Sequence, residues 1–211
     1  RPGTYDKALE YFLRAYKLSL AIKDKYLIGT ASVNLGEFYF KIGDDTTALK
    51  YLKESVIAYE GTEDLPYPLN YIGRVYTREK NYDRAIKTHL EAFDISKKLD
   101  TRLDMTQSLV GLAQAYYAKG ELASAIDAYK RSLLYGKPLN AVPEIKDAYE
   151  GLSKAYTKAT DYANAVKYQD SLLAIKDTIY NINTDKKLGT LQFGFDLEKK
   201  ESQIKLLNKD K

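Results

Sequence analysis

Apolar residues recur three and four positions apart along most of the chain, which is the spacing of amphipathic helices. One such stripe holds Leu35, Phe38, Tyr39 and Ile42. After a polar turn, a second stripe follows with Ala48, Leu49 and Leu52. The second helix of each pair is expected to begin at Asp44, Asn81, Glu121 and Asp161. Asp and Asn are residue types that cap helix N-termini. The pattern predicts helices joined in pairs by short turns.

The helix pairs repeat with a period near 40 residues. Five alanines in similar surroundings lie 40, 37, 40 and 40 positions apart: Ala8, Ala48, Ala85, Ala125 and Ala165. A tyrosine stands nine residues before each of the last four: Tyr39, Tyr76, Tyr116 and Tyr156. A constant interval of this kind predicts a solenoid of stacked helix pairs. Stacking is required because neither helix of a pair can bury its apolar stripe alone.

Small residues stand where two helix axes should approach closely. The second helix of each pair carries the alanine, and the first carries Gly36, Gly73, Ala113 or Ser153. At these residues the chain resembles the tetratricopeptide repeat (TPR) family. Further matching residues are Leu35, Ile72, Leu112 and Leu152 before the small residue, the four tyrosines, Gly43 and Gly120 in the turns, and Ser55, Ala92 and Ser132 later in the second helix.

The resemblance covers about residues 5–176 and implies an all-α solenoid of helical hairpins wound as a right-handed superhelix. Leu172 departs from the later small position, and the period exceeds the 34 residues usual in TPRs. Lys80 and Thr160 replace the turn glycine, so we expect those turns to avoid a left-handed residue.

The repeats divide the chain into a TPR array at 1–176 and a C-terminal helix at 177–211, which either caps the array or links it to another segment. Within the array we expect a half-repeat at 5–23 and hairpins at about 26–60, 66–99, 102–136 and 141–176. The half-repeat lacks its partner helix, which predicts an open apolar face at that end and further repeats upstream.

Charge and composition exclude several functions. The net charge is +4, but residues 186–211 carry seven Lys against four acids, so the repeats are nearly neutral. A neutral body argues against nucleic-acid binding. No Cys is present and His89 is the single His, which removes thiol chemistry and most metal sites. We expect no cofactor, no metal and no catalysis in this segment. His89 and most of the 20 Tyr are interpreted as packing residues.

The resemblance implies that the first helix of each pair lines a concave groove for a protein or peptide. The candidate groove residues are Val33, Glu37, Phe40, Lys41, Asn70, Arg74, Thr77, Arg78, Gln107, Gln114, Tyr117, Glu150, Lys154 and Lys158. Phe40 and Tyr117 follow the packing tyrosine and are expected to face the groove. Arg74 and Arg78 are four apart and either clamp an anion or form a solvated face. The Lys/Asn set with which some TPR domains hold chaperone C-termini is not reproduced.

The tail carries Phe193, Leu197, Ile204 and Leu207 at steps of four and three, interrupted by Lys200. This is about two heptads, so a capping helix and a dimerising linker both remain open. The tail resembles the junction at which TPRs precede a coiled linker in bacterial sensor histidine kinases and related signalling proteins. A membrane span, if any, is expected outside this segment.

Sequence therefore predicts a TPR protein-binding module, the sensory or regulatory part of a larger bacterial signal-transduction protein such as a two-component system. The alternative is a free-standing TPR adaptor or scaffold. The absence of Cys fits the periplasm and the cytoplasm alike.

Overall fold

The computed structural model describes the backbone of residues 2–209 and the side chains of 5–181, 183–194 and 200. These residues form nine helices and no strand. The helices are α1 (Pro2–Ile22), α2 (Lys25–Ile42), α3 (Asp45–Ala58), α4 (Pro66–Arg78), α5 (Tyr82–Leu99), α6 (Arg102–Lys119), α7 (Leu122–Gly136), α8 (Val142–Lys158) and α9 (Tyr162–Lys209). The predicted all-α repeat solenoid is confirmed.

The stacking of the pairs produces an inner and an outer layer. The inner helices α2, α4, α6 and α8 contact one another in order along the array. Over the described residues, the backbones of the outer helices α3, α5, α7 and α9 lie close to inner helices but not to one another. Outer side chains meet between α5 and α7, where the Arg131 guanidinium lies 5.2 Å from the Phe93 ring centroid. Because inner neighbours are closer than outer neighbours, the array curves and its concave face is formed by the inner helices.

Outer side chains lie directly on small inner residues, both within a pair and between neighbouring pairs. Leu52 covers Gly36, where an added Cβ would come within 2.6 Å of the Leu52 side chain. Tyr129 likewise covers Gly151 of the following inner helix. The repeated alanines Ala48, Ala85 and Ala125 are fully buried. Close helix packing therefore follows from the small residues that define the repeat.

A buried polar layer lies at the centre of the array. His89 of α5 is fully buried, and its ring packs against both Gly73 of α4 and Gly111 of α6. Its Nδ1 lies 3.1 Å from Oδ1 of Asn70, whose Nδ2 donates to Oγ of Ser108 at 2.9 Å. Since the Asn70 amide nitrogen is used by Ser108, Nδ1 of His89 is the donor to Oδ1. The interpretation of His89 as a packing residue agrees with this burial.

All four turns between paired helices use a left-handed residue, so the expectation for Lys80 and Thr160 is wrong. Their φ angles are both 61°, compared with 89° at Gly43 and 94° at Gly120. The following backbone N–H donates to the carbonyl oxygen of the repeat tyrosine in each turn, as Asn81 does to Tyr76 at 2.8 Å. The chain reverses direction at this hydrogen bond, and the residue before the donor must have a positive φ whether it is glycine or not.

The two ends of the array differ. At α1 and α2 an apolar cleft of about 240 Å³ leaves Leu18, Ile22 and Leu27 exposed, as expected of an unpaired outer helix. None of the described helices is both long and apolar enough to cross a membrane.

At the other end, α9 is one helix of 48 residues that begins in the last repeat and contacts α8. Gly189 and Gly194 lie within it without ending it. Phe193 is exposed, whereas the side chains of Leu197, Ile204 and Leu207 lie outside the described residues.

Replacing Thr160 by Gly should stabilise the protein by about 0.5–1 kcal/mol. The strain energy of a β-branched residue at positive φ is removed, and this gain exceeds the free-energy cost of the extra entropy that Gly gives the unfolded chain. The measurement is urea denaturation. The matched control Thr157→Gly, in the last turn of α8, should instead cost about 0.5 kcal/mol, because it removes helix propensity without relieving strain. Equal losses in the two variants would contradict the turn geometry.

The pKa of His89 is lowered to about 3, first by burial and then by the positive charge of Arg74. In the unfolded chain the pKa is about 6.5. Stability from the neutral ring is therefore present above about pH 6.5 and is lost as the pH falls toward 3, at up to about 1.4 kcal/mol per unit.

The NMR signal of the single histidine ring should therefore not titrate between pH 8 and 5 in the folded protein. In urea the same signal should titrate near pH 6.5, which serves as the control. A folded-state midpoint near 6.5 would show that the ring is not buried as described.

Candidate functional site

Two adjoining cavities open on the concave face of the inner helices. The first, here the Arg74 cavity, has a volume of about 180 Å³ and is lined by Tyr67, Asn70, Tyr71, Arg74, Gln107, Val110, Pro143, Glu144 and Asp147. The second, the Tyr117 cavity, has about 250 Å³ and is lined by Gln114, Tyr117, Tyr129, Asp147, Glu150, Gly151 and Lys154. Asp147 belongs to both, so the two cavities form one groove across α4, α6 and α8.

Seven of the fourteen candidate groove residues line this groove: Asn70, Arg74, Gln107, Gln114, Tyr117, Glu150 and Lys154. The prediction is wrong for Val33, which is buried in the apolar cluster between α2, α3 and α4. Asn70 contributes to the cavity wall, but its polar atoms are occupied by His89 and Ser108. The hydroxyl of Thr77 donates to the carbonyl oxygen of Gly73 within its own helix.

Arg78 is held by the preceding repeat, so it does not form a clamp with Arg74. Its Nε donates to Oδ2 of Asp45 at 2.8 Å, and Nη2 pairs with the same carboxylate. Nη1 donates to the carbonyl oxygen of Phe40 at 2.9 Å. The guanidinium also lies 4.0 Å from the Phe40 ring centroid. Phe40 is therefore covered by Arg78 and does not face the groove as predicted.

The packing of a cation on an aromatic ring, seen between α4 and α2, recurs between α8 and α6. Lys158 occupies the position of Arg78 relative to its repeat tyrosine, and its Nζ lies 5.2 Å from the ring centroid of Tyr117. A cation at the end of one inner helix thus packs on the aromatic ring of the preceding inner helix. These contacts hold neighbouring repeats together at the edge of the concave face.

Glu37 and Lys41 form an internal cluster with Tyr67. Nζ of Lys41 donates to Oε1 of Glu37 at 2.6 Å, and the Tyr67 hydroxyl donates to Oε2 at 2.8 Å. Burial alone would raise the pKa of Glu37, but these hydrogen bonds outweigh it and the pKa lies below its ordinary value. Burial is also the main cause of the raised pKa of Tyr67, which keeps the phenol protonated.

The carboxylates of the groove are also partnered. Glu150 pairs with Lys154 at 2.5 Å, as the spacing of four predicted. Asp147 pairs with Lys146 at 2.9 Å. Glu144 accepts a hydrogen bond from Nε2 of Gln107 at 2.9 Å.

Arg74 differs from these residues. Its guanidinium lies 5.1 Å from the ring centroid of Tyr71, and no described carboxylate oxygen lies within 4.0 Å of its nitrogens. Its Nε is buried and has no hydrogen-bond partner among the described residues.

Sequence reasoning missed Asp45, Tyr67, Tyr129 and Glu144. Two of them had a signal in the helix period, since Tyr67 precedes Arg74 by seven residues and Glu144 precedes Asp147 by three. Asp45 and Tyr129 belong to the outer helices α3 and α7, which the family resemblance does not place on the concave face. Within the described part of the chain, no cluster of His, Cys, Asp and Glu could hold a metal ion.

Two family models described as tetratricopeptide repeat match residues 64–133 and 110–178, together more than half of the chain. The chain belongs to the tetratricopeptide repeat family. A model of anaphase-promoting complex subunit 5 matches residues 1–65, the region of α1 to α3 and the loop that follows. No curated protein matches the sequence significantly.

Several solved structures share the TPR fold. Aspartyl phosphate phosphatase F from Bacillus subtilis has a TM-score of 0.73 at 16% identity, over 82% of this chain and 46% of that one. A Rap protein complexed with competence and sporulation factor has a TM-score of 0.64 at 17% identity, over 84% and 49%. A Pyrococcus horikoshii signal transduction ATPase with numerous domains and a tetratricopeptide repeat sensor has 0.65 at 20% identity, over 87% and 28%.

The chain spans less than half the length of each of these proteins. At these identities the likeness shows the fold. As a TPR array, the chain is a protein-interaction module, a fold that is typically non-catalytic.

Replacing Arg78 by Ala should lower the free energy of unfolding by about 1 kcal/mol, because an ion pair and a cation–π contact between repeats are lost together. Urea denaturation measures this. Arg102→Ala is the control, since the Arg102 guanidinium pairs with Asp100 at 3.7 Å and both side chains are exposed. Its effect should stay under about 0.5 kcal/mol. Equal effects of the two variants would contradict the inter-repeat role of Arg78.

Proposed function

We propose that this TPR module binds an extended segment of a partner protein in the groove formed by the Arg74 and Tyr117 cavities, without catalysing a reaction. The observation that carries the proposal is the continuity of these cavities across three inner helices through the shared residue Asp147. An extended chain can occupy both cavities at once, whereas a small molecule would fill only one.

The composition of the groove wall supports a peptide ligand. Gln114 offers an amide group that can pair with a peptide backbone, and the half-buried ring of Tyr117 offers aromatic surface for its side chains. The wall stands on helices that are fixed by buried contacts to the outer layer. A groove that is rigid before binding loses little conformational entropy when the ligand enters.

The absence of catalysis is supported by the state of the groups that could act as acid or base. His89 is fully buried and remains neutral. Asp147 and Glu150 each pair with a lysine. This arrangement favours recognition over proton transfer.

We further propose that the module is the sensory or regulatory part of a bacterial signal-transduction protein. A related fold is the tetratricopeptide repeat sensor of the Pyrococcus horikoshii ATPase. The long helix α9 supports this role, because it begins in the last repeat and continues without interruption. A change in the tilt of α8 and α9 on binding would therefore be carried along the axis of α9.

A selection from a random 12-residue peptide library tests the groove. Peptides that bind the wild-type chain are measured again with Gln114→Arg, which places a long side chain in the Tyr117 cavity, and with Ala123→Arg, an equal change of charge at an exposed position on α7. We expect Gln114→Arg to weaken binding at least about tenfold, which is 1.4 kcal/mol, and Ala123→Arg to change it less than about twofold. Failure to enrich any peptide, or equal binding to both variants, would contradict the proposed groove.

A further inference from the structure

Arg74 stands apart from the other cations on the concave face. Lys41 is paired with Glu37, Arg78 with Asp45 and Lys154 with Glu150. Lys158 packs on the ring of Tyr117. Of these five cations, Arg74 and Lys158 have no described carboxylate within 4.0 Å, and only Arg74 has a buried nitrogen, Nε, without an acceptor among the described residues.

The position of Arg74 is nevertheless well defined. Its guanidinium packs over the ring of Tyr71, at 5.1 Å from the centroid, and Tyr71 is itself buried. The ring of Tyr71 is held in turn by Phe40 and Tyr67, at centroid distances of 5.8 and 5.3 Å. A planar cation fixed on an aromatic face presents its N–H groups in one direction, so it is prepared for a planar acceptor.

The cavity in front of Arg74 suits one carboxylate. Its volume of about 180 Å³ accommodates a single side chain, and its wall includes Gln107 and Val110 of α6. A carboxylate is the acceptor that matches the guanidinium, because two parallel N–H···O bonds form to its two oxygens. The Arg74 side chain is half-buried and has no ion-pair partner among the described residues, so a ligand carboxylate would form a charge-assisted pair without breaking one within the chain.

We propose that Arg74 binds the side-chain carboxylate of one Asp or Glu in the partner segment. This inference rests on the proposed function of the groove and names the feature of the ligand that the groove selects. The rest of the cavity limits how many acids are accepted. Glu144 and Asp147 line the same cavity and would repel a second acidic residue beside the first.

The preferred segment therefore carries a single acidic residue with neutral or basic neighbours. Glu144 accepts from Gln107 and Asp147 pairs with Lys146, so neither is drawn to Arg74 in the free protein. The two acids and Arg74 together form a cavity with one cationic wall and one anionic wall.

The test compares wild type, Arg74→Gln and Arg84→Gln. Arg84 is the matched control because it is exposed on the outer helix α5 and also packs on a tyrosine, with its guanidinium 5.8 Å from the Tyr76 ring centroid. Peptides selected on wild type from the random library are synthesised with amidated C-termini. Each peptide is made in two versions, one with its acidic residue and one with the corresponding Asn or Gln. Circular dichroism checks that every variant is folded, and Arg74→Lys retains the charge without the planar guanidinium.

We expect the selected peptides to share one Asp or Glu. Its replacement should weaken binding about tenfold or more to wild type and to Arg84→Gln, but less than about twofold to Arg74→Gln, with Arg74→Lys intermediate.

The outcomes separate the two proposals. Two results would overturn the role of Arg74 and leave the groove proposal intact. In the first, the peptides bind more weakly to Gln114→Arg but share no acidic residue. In the second, replacing the acidic residue weakens binding to Arg74→Gln as much as to wild type. Peptides that bind only with a free C-terminal carboxylate would also overturn it, since the proposal assigns Arg74 to a side chain. If no peptide is enriched, the groove proposal fails and the assignment of Arg74 fails with it.

Discussion

The close approach of paired helices is the constraint on which the rest of the structure depends. A large outer side chain lies directly on an inner helix where the inner residue is small, as Leu52 does at Gly36. His89 uses this arrangement twice, because it packs on Gly73 and Gly111 of two successive inner helices. These contacts bring the inner helices within reach of one another, while the backbones of the outer helices remain farther apart. The curvature of the array, and hence its concave groove, follows from them.

The concave face is also where most of the charges of the inner helices are satisfied within the chain. Arg78 and Lys158 pack on the aromatic ring of a neighbouring repeat, and Glu37 accepts two hydrogen bonds. Such contacts stabilise the stacking of repeats and remove these residues from ligand binding. What remains open is the groove across α4, α6 and α8, in which Arg74 has no ion-pair partner and its Nε has no acceptor among the described residues. An inner side chain therefore has a structural role where it can reach a partner in the adjacent repeat, and it is left for recognition where it cannot.

The fold could be predicted from the sequence because it depends on local, repeated features. The interval between tyrosine and alanine and the small residues fix the helix pairs, and these signals lie within one repeat. The binding surface was harder to predict, since the fate of an inner side chain depends on residues about 40 positions away. Phe40 looked exposed until Arg78 of the next repeat covered it. Likewise, the identity of Thr160 does not predict its positive φ. The reversal of the chain imposes that angle on whichever residue occupies the turn.

The central claim is that the concave face of the inner helices, rather than the outer layer or α9, receives the partner. NMR chemical-shift mapping with a selected peptide tests this most directly. The account predicts that the perturbed backbone amides lie in α4, α6 and α8, around Arg74, Gln114 and Asp147. Perturbations concentrated in α3, α5 and α7, or in the part of α9 beyond the last repeat, would contradict it.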